Sequence, residues 1–172
     1  LDVLPVAVNL SAAEFERDDV VDAIAAALER AGVPPAWLEI ELTESVAMRD
    51  VERTVTTIAA LRDLGVAVAI DDFGAGYASF AQLKVLPVTA LKINLSFIRD
   101  LGEEPDASSR DATVVIGIIA LATILGLEVV AEGVETEAQR DFLAAHGCGF
   151  AQGYWFGRPE AADVVTPLLV AP

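Results

Sequence analysis

The stretch from Val66 to Gly76 constrains the fold more than any other part of the chain. Its first five residues, 66–70, are apolar, and Asp71 and Asp72 follow them directly, before a Gly-x-Gly turn. An apolar run of this kind is typical of a strand buried on both faces, as in a parallel sheet covered by helices. Two adjacent carboxylates repel each other and lose hydration when they are partly buried. A divalent cation with oxygen ligands would relieve this cost, although Asp72 could instead cap the glycine turn.

Composition limits the class of protein and the kinds of partner. The chain has 172 residues, is 54% hydrophobic and has a mean hydropathy of +0.50, which predicts one well-packed domain. Its 27 acidic and 11 basic residues give a net charge of −16, so DNA and RNA are not expected partners. A small anionic substrate remains compatible, because bound metal can make a local site positive. The single cysteine, Cys148, fits a reducing compartment, and we predict a cytoplasmic protein.

The run 112–127 is uncharged over sixteen residues and could be mistaken for a membrane span. It is shorter than the roughly 20 residues that a span needs, and it lacks flanking positive anchors. We therefore predict a buried helix followed by a strand, and no membrane segment in this chain.

Strand-like and helix-like segments alternate along the whole sequence. The predicted strands are Pro5–Leu10, Leu38–Glu44, Val66–Asp72, Ala90–Asn94, Glu128–Gly133 and Phe150–Trp155. The predicted helices are Asp18–Gly32, Asp50–Leu64, Phe80–Leu86, Asp111–Leu125, Thr136–His146 and Ala161–Val170.

This alternation predicts a parallel sheet, which could be an open doubly wound sheet or a (β/α)₈ barrel. Polar residues end nearly every predicted strand, and a barrel places functional residues at many strand ends rather than at one switch point. The pattern therefore favours a TIM-type (β/α) barrel. Only six of the eight βα units are found, and the chain opens on Leu1 rather than Met. We expect the two remaining units to lie upstream.

Four of these strand-end residues, Asn9, Glu44, Asp71 and Asp72, offer one amide oxygen and three carboxylates. Such hard oxygen ligands suit two Mg²⁺ or Mn²⁺ ions. Lys92 and Glu132 end two further predicted strands and would add a cation and a carboxylate. A site of this composition suits hydrolysis of a phosphodiester.

Structural explanations exist for the same residues. Asn9 and Glu44 could cap turns, Lys92 could form a structural salt bridge, and Glu132 could belong to a glycine turn. Glu39 and Glu41 lie on the opposite side of their strand from Glu44 if the strand is regular. An ion pair or a water inside the barrel would explain these two glutamates, and we assign them no catalytic role.

Six motifs resemble those of the EAL-domain phosphodiesterases that hydrolyse cyclic di-GMP. They are Val8-Asn-Leu-Ser11, Glu41-Leu-Thr-Glu-Ser45, Asp71-Asp-Phe-Gly-Ala-Gly-Tyr77, Leu91-Lys-Ile93, Val130-Ala-Glu-Gly-Val-Glu135 and Gln152-Gly-Tyr-Trp-Phe-Gly-Arg-Pro159. They occur in the family's order and span the whole chain, so residues 1–172 resemble the C-terminal two-thirds of an EAL-type domain.

The resemblance implies a two-metal site on a TIM-type barrel and linear pGpG as the product. The implied metal ligands are Asn9, Glu44, Asp71, Asp72 and Glu132, with Asp71 bridging both ions. Lys92 would hold or deprotonate the attacking water, Glu132 would support it, and Gln152 would lie on the floor of the active site. The loop Phe73–Phe80 would link the metal site to a homodimer interface. Upstream sensory or GGDEF-type domains are common in the family.

The sequence also departs from the family pattern. The Glu-Ala-Leu motif is absent from this chain, and Asn94 stands where the family usually has Asp. Both departures remove negative charge from the predicted metal site. They leave open a second hypothesis, a catalytically inactive module that binds cyclic di-GMP or a protein partner. A third is that this piece has no function of its own.

Overall fold

The computed structural model describes residues 5–76 and 80–169. The strands are β1 (Val6–Asn9), β2 (Leu38–Thr43), β3 (Ala67–Phe73), β4 (Ala90–Ile93), β5 (Glu128–Ala131) and β6 (Phe150–Ala151). The helices are α1 (Ala12–Phe15), α2 (Val20–Ala31), α3 (Glu44–Ala47), α4 (Val51–Asp63), α5 (Phe80–Leu83), α6 (Leu95–Asp100), α7 (Arg110–Leu125), α8 (Glu137–Ala145) and α9 (Ala162–Leu169). A 3₁₀ turn, Pro35–Trp37, precedes β2.

The six strands form one sheet in the order β1-β2-β3-β4-β5-β6, and every neighbouring pair is parallel. Strictly sequential order is the order of a barrel, whereas a doubly wound sheet reverses direction at a switch point. The predicted incomplete TIM-type barrel with six βα units is therefore confirmed. Because the strands are parallel, their carboxyl ends all lie at the same end of the sheet, where the site residues were predicted.

The two faces of the sheet differ sharply in composition. The outer face carries large apolar side chains that are buried against the helices: Ile40, Leu42, Val68, Ile70, Leu91, Ile93 and Val129. The alternate positions point to the inner face and, apart from Val130, are small or charged: Glu39, Glu41, Ala67, Ala69, Ala90, Lys92 and Glu128. The apolar core thus lies between sheet and helices, and the inner face is free to carry polar chemistry.

The long apolar segment is a helix, as predicted, but only one of its faces is buried, and Ile124 on the opposite face is 82% exposed. Helix α7 begins after Ser109, whose hydroxyl caps the helix, and ends at Gly126 in the left-handed conformation. Five of its residues are buried, and β5 follows it. In the described part of the chain, no helix is long and apolar enough to cross a bilayer.

Three short helices, α1, α3 and α6, were not predicted, and all three begin at or just after a strand end. Glu44 and Asn94 were predicted to end the second and fourth strands. In the structure Glu44 begins α3, and Asn94 is the N-cap of α6. Strand β6 is also shorter than predicted. Residues 77–79 of the predicted interface loop Phe73–Phe80 lie outside the described residues.

Candidate active site

Lys92 is the centre of a buried polar cluster on the inner face of the sheet. Its Nζ lies 2.7 Å from Glu41 Oε1, 2.6 Å from Glu132 Oε1 and 3.4 Å from Asp71 Oδ1. The side chains of Glu41, Asp71 and Glu132 are only 7%, 13% and 12% exposed. Strands β2, β3 and β4 and the residue after β5 thus each supply one member of the cluster.

Burial and charge shift the pKa values in this cluster in defined directions. Burial by itself would lower the pKa of Lys92, but hydrogen bonds to Glu132 and Glu41 and the charge of Asp71 outweigh it. The pKa of Lys92 is therefore raised, and the side chain is a cation at neutral pH. Burial raises the pKa of Glu132, although the contact with Lys92 opposes this shift.

Asp71 and Asp72 reach the same side of the sheet because β3 is irregular at this point. In a regular strand two successive side chains point to opposite faces. The register between β3 and β4 shifts between Ile70 and Phe73, and Asp72 has a φ of 55°. Aspartate tolerates this left-handed conformation better than most residues. Oxygens of Asp71, Asp72 and Glu132 consequently lie within 4.8 Å of one another.

The carboxylate of Glu44 lies against the loop after β3 rather than in this cluster. Its Oε2 accepts hydrogen bonds from the backbone N–H groups of Gly74, at 2.8 Å, and Gly76, at 3.2 Å. A Cβ at residue 76 would come within 2.6 Å of Glu44 Oε1, and one at residue 74 within 2.4 Å of the Phe97 ring. The Gly-x-Gly motif therefore allows the loop to pack closely on Glu44 and Phe97.

Glu44 was predicted as a metal ligand, and Glu41 as a residue with an ion pair or a water inside the barrel but no catalytic role; the structure shows an ion pair of Glu41 with Lys92. Strand β2 ends at Thr43, so Glu44 begins α3 and its side chain turns toward the loop. Glu41 points to the inner face and is buried. The signal was available, since a charged residue between Ile40 and Leu42 needs a buried partner.

The remaining predicted site residues lie at the same edge of the sheet. Gln152 donates a hydrogen bond from Nε2 to Glu132 Oε1 at 2.7 Å. Asn9 is exposed at the end of β1 and is the register partner of Glu41 on β2. The role of Asn9 as a metal ligand stays a prediction.

A cavity of about 670 Å³ opens beside Glu132 and Gln152. Arg99 and Arg158 also line it, and the guanidinium carbon of Arg158 lies 4.3 Å from the centre of the Tyr154 ring. The volume is typical of a site for a small organic ligand. The charges of Arg99 and Arg158 are balanced by those of Glu132 and Glu135, so the pocket offers two guanidinium donors on a chain whose net charge is −16.

The donor set fits divalent metal ions. Four carboxylates, those of Glu41, Asp71, Asp72 and Glu132, gather near one ammonium, that of Lys92. A buried cluster with such an excess of negative charge is stabilised by further cations, and carboxylate oxygens are the ligands that Mg²⁺ and Mn²⁺ prefer.

The sequence is similar to one protein family and to curated members of the same kind. The family model of the EAL domain matches residues 1–159. The bifunctional diguanylate cyclase/cyclic di-GMP phosphodiesterase MucR of Pseudomonas aeruginosa is 46% identical over 158 residues, which is 92% of this chain and 22% of MucR. The cyclic di-GMP phosphodiesterase NbdA of the same species is 47% identical over 156 residues, 91% of this chain and 19% of NbdA. The chain thus spans about a fifth of these relatives.

Solved structures agree with the sequence comparisons. The PaMucR phosphodiesterase in complex with c-di-GMP superimposes with a TM-score of 0.87 at 45% identity, covering 94% of this chain and 64% of that one. The manganese/c-di-GMP complex of Klebsiella pneumoniae BlrP1 superimposes with a TM-score of 0.79 at 30% identity, covering 92% of this chain and 40% of that one.

Proposed function

Because this chain belongs to the EAL-domain family, we propose that it hydrolyses cyclic di-GMP to linear pGpG with the help of Mg²⁺ or Mn²⁺. The observation that carries the proposal is the convergence of Glu41, Asp71, Asp72 and Glu132 on Lys92 beside the arginine-lined pocket. The names of MucR and NbdA, and the c-di-GMP and manganese complexes of two related structures, support the same substrate and metal class.

The metal ligands that we propose are Asp71, Asp72 and Glu132, with Glu41 in the position first predicted for Glu44. Asn9 is retained, because it is the register partner of Glu41 at the end of the neighbouring strand. Divalent ions held there would neutralise the phosphate and lower the pKa of the attacking water. Glu44 would instead fix the loop after β3.

Lys92 and Glu132 would act on the attacking water in different ways. The raised pKa of Lys92 favours a permanent cation, so Nζ would hold the water by donating a hydrogen bond and would not take its proton. Glu132 would support the water as a ligand of the neighbouring ion, and Gln152 would orient this carboxylate by donating a hydrogen bond to Oε1. Arg99 and Arg158 would bind the anionic substrate in the pocket.

The same proposal covers the setting of the domain. Cyclic di-GMP hydrolysis would occur in the cytoplasm, which agrees with a single cysteine that has no disulfide partner. We also propose a homodimer and an upstream sensory or GGDEF-type domain, and MucR, which combines two activities in one longer protein, supports the latter.

The test is incubation of the natural protein that contains this chain with cyclic di-GMP and Mn²⁺, followed by chromatography of the nucleotides. We expect pGpG, and Asp71→Asn should abolish it while retaining the fold. Binding of cyclic di-GMP without any pGpG would overturn the enzymatic proposal and support the inactive binding module. The specific observation in favour of that alternative is Asn94, a neutral residue in contact with Asp72.

A further inference from the structure

Asn94 connects the carboxylate cluster to the beginning of α6. Its Nδ2 donates a hydrogen bond to Asp72 Oδ1 at 2.7 Å. Its Oδ1 accepts one from the backbone N–H of Ser96, at 2.8 Å, and one from the Ser96 hydroxyl, at 2.6 Å. Because a backbone N–H can only donate, the amide oxygen must face Ser96 and the NH₂ group must face Asp72. The NH₂ group and the amide oxygen of Asn94 therefore both have hydrogen-bond partners.

Asp72 is the member of the cluster that most needs such support. It is the only non-glycine residue with positive φ in the described ranges 5–76 and 80–169, and it lies at the irregular point of β3. Its carboxylate is close to those of Asp71 and Glu132. Lys92 forms ion pairs with Asp71 and Glu132, and no ion pair involves Asp72 within the part of the chain that is described.

The contact with Asn94 therefore supplies a hydrogen-bond donor at a carboxylate that Lys92 does not pair. A neutral amide can donate to an anion without adding charge of either sign. An aspartate at this position would keep the cap on Ser96, but it would add a fifth carboxylate to the cluster and place it within hydrogen-bonding distance of Asp72. Without a cation that arrangement is repulsive, and with a divalent cation it supplies one more ligand.

We propose that Asn94 is a positioning residue that holds the Asp72 carboxylate in place in the metal-free protein, at the expense of affinity for a divalent ion at Asp72. The inference rests on the metal role in the proposed function. It goes beyond that role because it concerns how the site is kept in order before any ion binds.

The same side chain also ties Asp72 to the wall of the pocket. As the N-cap of α6, Asn94 fixes the start of a helix whose residues Leu95 and Arg99 line the cavity. At the other end of α6, Gln139 Nε2 donates to the carbonyl oxygens of Ile98 and Gly102. Helix α6 is thus held at both ends. Because Asn94 is fixed to this helix, its hydrogen bond to Asp72 limits movement of the Asp72 carboxylate.

The test compares the melting temperature of the 172-residue chain with that of Asn94→Asp, first in EDTA and then in Mn²⁺, at one fixed pH. We expect Asn94→Asp to melt roughly 2–8 °C below the parent chain in EDTA, because it loses the amide donor and adds repulsion. Mn²⁺ should raise the melting temperature of the variant more than that of the parent. Titration with Mn²⁺ should show affinity that is roughly tenfold higher in Asn94→Asp.

Ser96→Ala is the matched control, because it removes one partner of Asn94 Oδ1 and leaves the contact with Asp72. Its melting temperature is expected to change equally in EDTA and in Mn²⁺. An Asn94→Asp chain that melts like the parent in EDTA would overturn the proposal. So would one that gains no more from Mn²⁺ than Ser96→Ala does, since Asn94 would then be only structural. The EDTA comparison requires neither metal binding nor hydrolysis, so it stands even if the phosphodiesterase proposal fails.

Discussion

The two ends of the inner face of the sheet carry similar charges in very different surroundings. At the carboxyl end, Glu41 and Glu132 are both within 2.7 Å of Lys92 Nζ. At the amino end, Glu39 and Glu128 line a depression of about 690 Å³. Neither of these two glutamates forms an ion pair with any residue that the structure describes.

The carboxyl end is therefore an organised site, in which ion pairs stabilise the buried charges. At the amino end the glutamates lack such partners among the described residues, and their charge is expected to destabilise the fold. At the amino end burial raises the pKa of Glu39, and the charges of Glu41 and Glu128 add to the shift. At the carboxyl end an ammonium group and backbone irregularity bring several carboxylates to one point. In (β/α) barrels the carboxyl end of the sheet is the functional end. Substitutions at the two ends should consequently have opposite effects on stability.

The largest effect is expected from Lys92→Met, which removes the only cation of the cluster but keeps the length of the side chain. Removal of one partner from a buried ion pair costs about 3–5 kcal/mol, because the remaining charges are left unpaired. The melting temperature in EDTA should fall by roughly 6–20 °C. Hydrolysis of cyclic di-GMP should fall at least about 100-fold if Lys92 holds the attacking water.

Lys84→Met is the matched control, since Lys84 is the only other lysine and it is exposed. The melting temperature of Lys84→Met in EDTA and its rate of cyclic di-GMP hydrolysis should equal those of the parent protein. If Lys92→Met were as stable as Lys84→Met, the carboxyl-end cluster would not be an organised site. The contrast between the two ends would then be lost.

The sequence predicted the fold and part of the carboxyl-end cluster, because the relevant signals are local. Apolar runs and helical periodicity predicted all six strands and the long helices, and polar strand ends predicted a common edge. Lys92, Asp71 and Glu132 were named from these strand ends alone, and the structure brings them together.

What the sequence did not predict depends on one-residue details of the backbone. Strand β2 ends at Thr43, and this places Glu44 in a helix and leaves Glu41 facing Lys92. Asp72 was predicted at the site, but the backbone that brings it beside Asp71 was not: regular alternation would have sent its side chain to the outer face, and the register shift and positive φ prevent this. Because a shift of one residue reverses the face of a strand, a detail of this size decides which of the two glutamates faces Lys92.

A smaller loss is expected from Glu41→Gln, which keeps the shape of the side chain and removes its charge. Its ion pair with Lys92 Nζ would become a hydrogen bond to a neutral acceptor, at a cost of about 1–3 kcal/mol. The melting temperature in EDTA should fall by roughly 2–12 °C, and the increase caused by Mn²⁺ should become smaller than in the parent chain. An unchanged response to Mn²⁺ would remove Glu41 from the proposed ligands and return Glu44 to consideration.

The smallest effect, and the one of opposite sign, is expected from Glu39→Gln on the same strand and face. Because burial raises the pKa of Glu39 in the folded protein, the folded state binds this proton more tightly than the unfolded chain. The resulting stability is present below the unfolded pKa and is lost as the pH rises through the folded pKa. Glutamine resembles the protonated form, so the variant should melt about 1–3 °C above the parent at pH 7.5 and equally at pH 4.

Glu29→Gln, at an exposed position of α2, removes the same charge from the surface and serves as the control for net charge. It should change the melting temperature less than Glu39→Gln does. Destabilisation by Glu39→Gln at pH 7.5 would mean that the amino end also holds an organised charge network, in which Glu39 must be ionised. Both ends of the inner face would then carry ionised glutamates in an organised network. Charge alone would not distinguish the two ends, and metal binding could not be assigned to the carboxyl end on that ground.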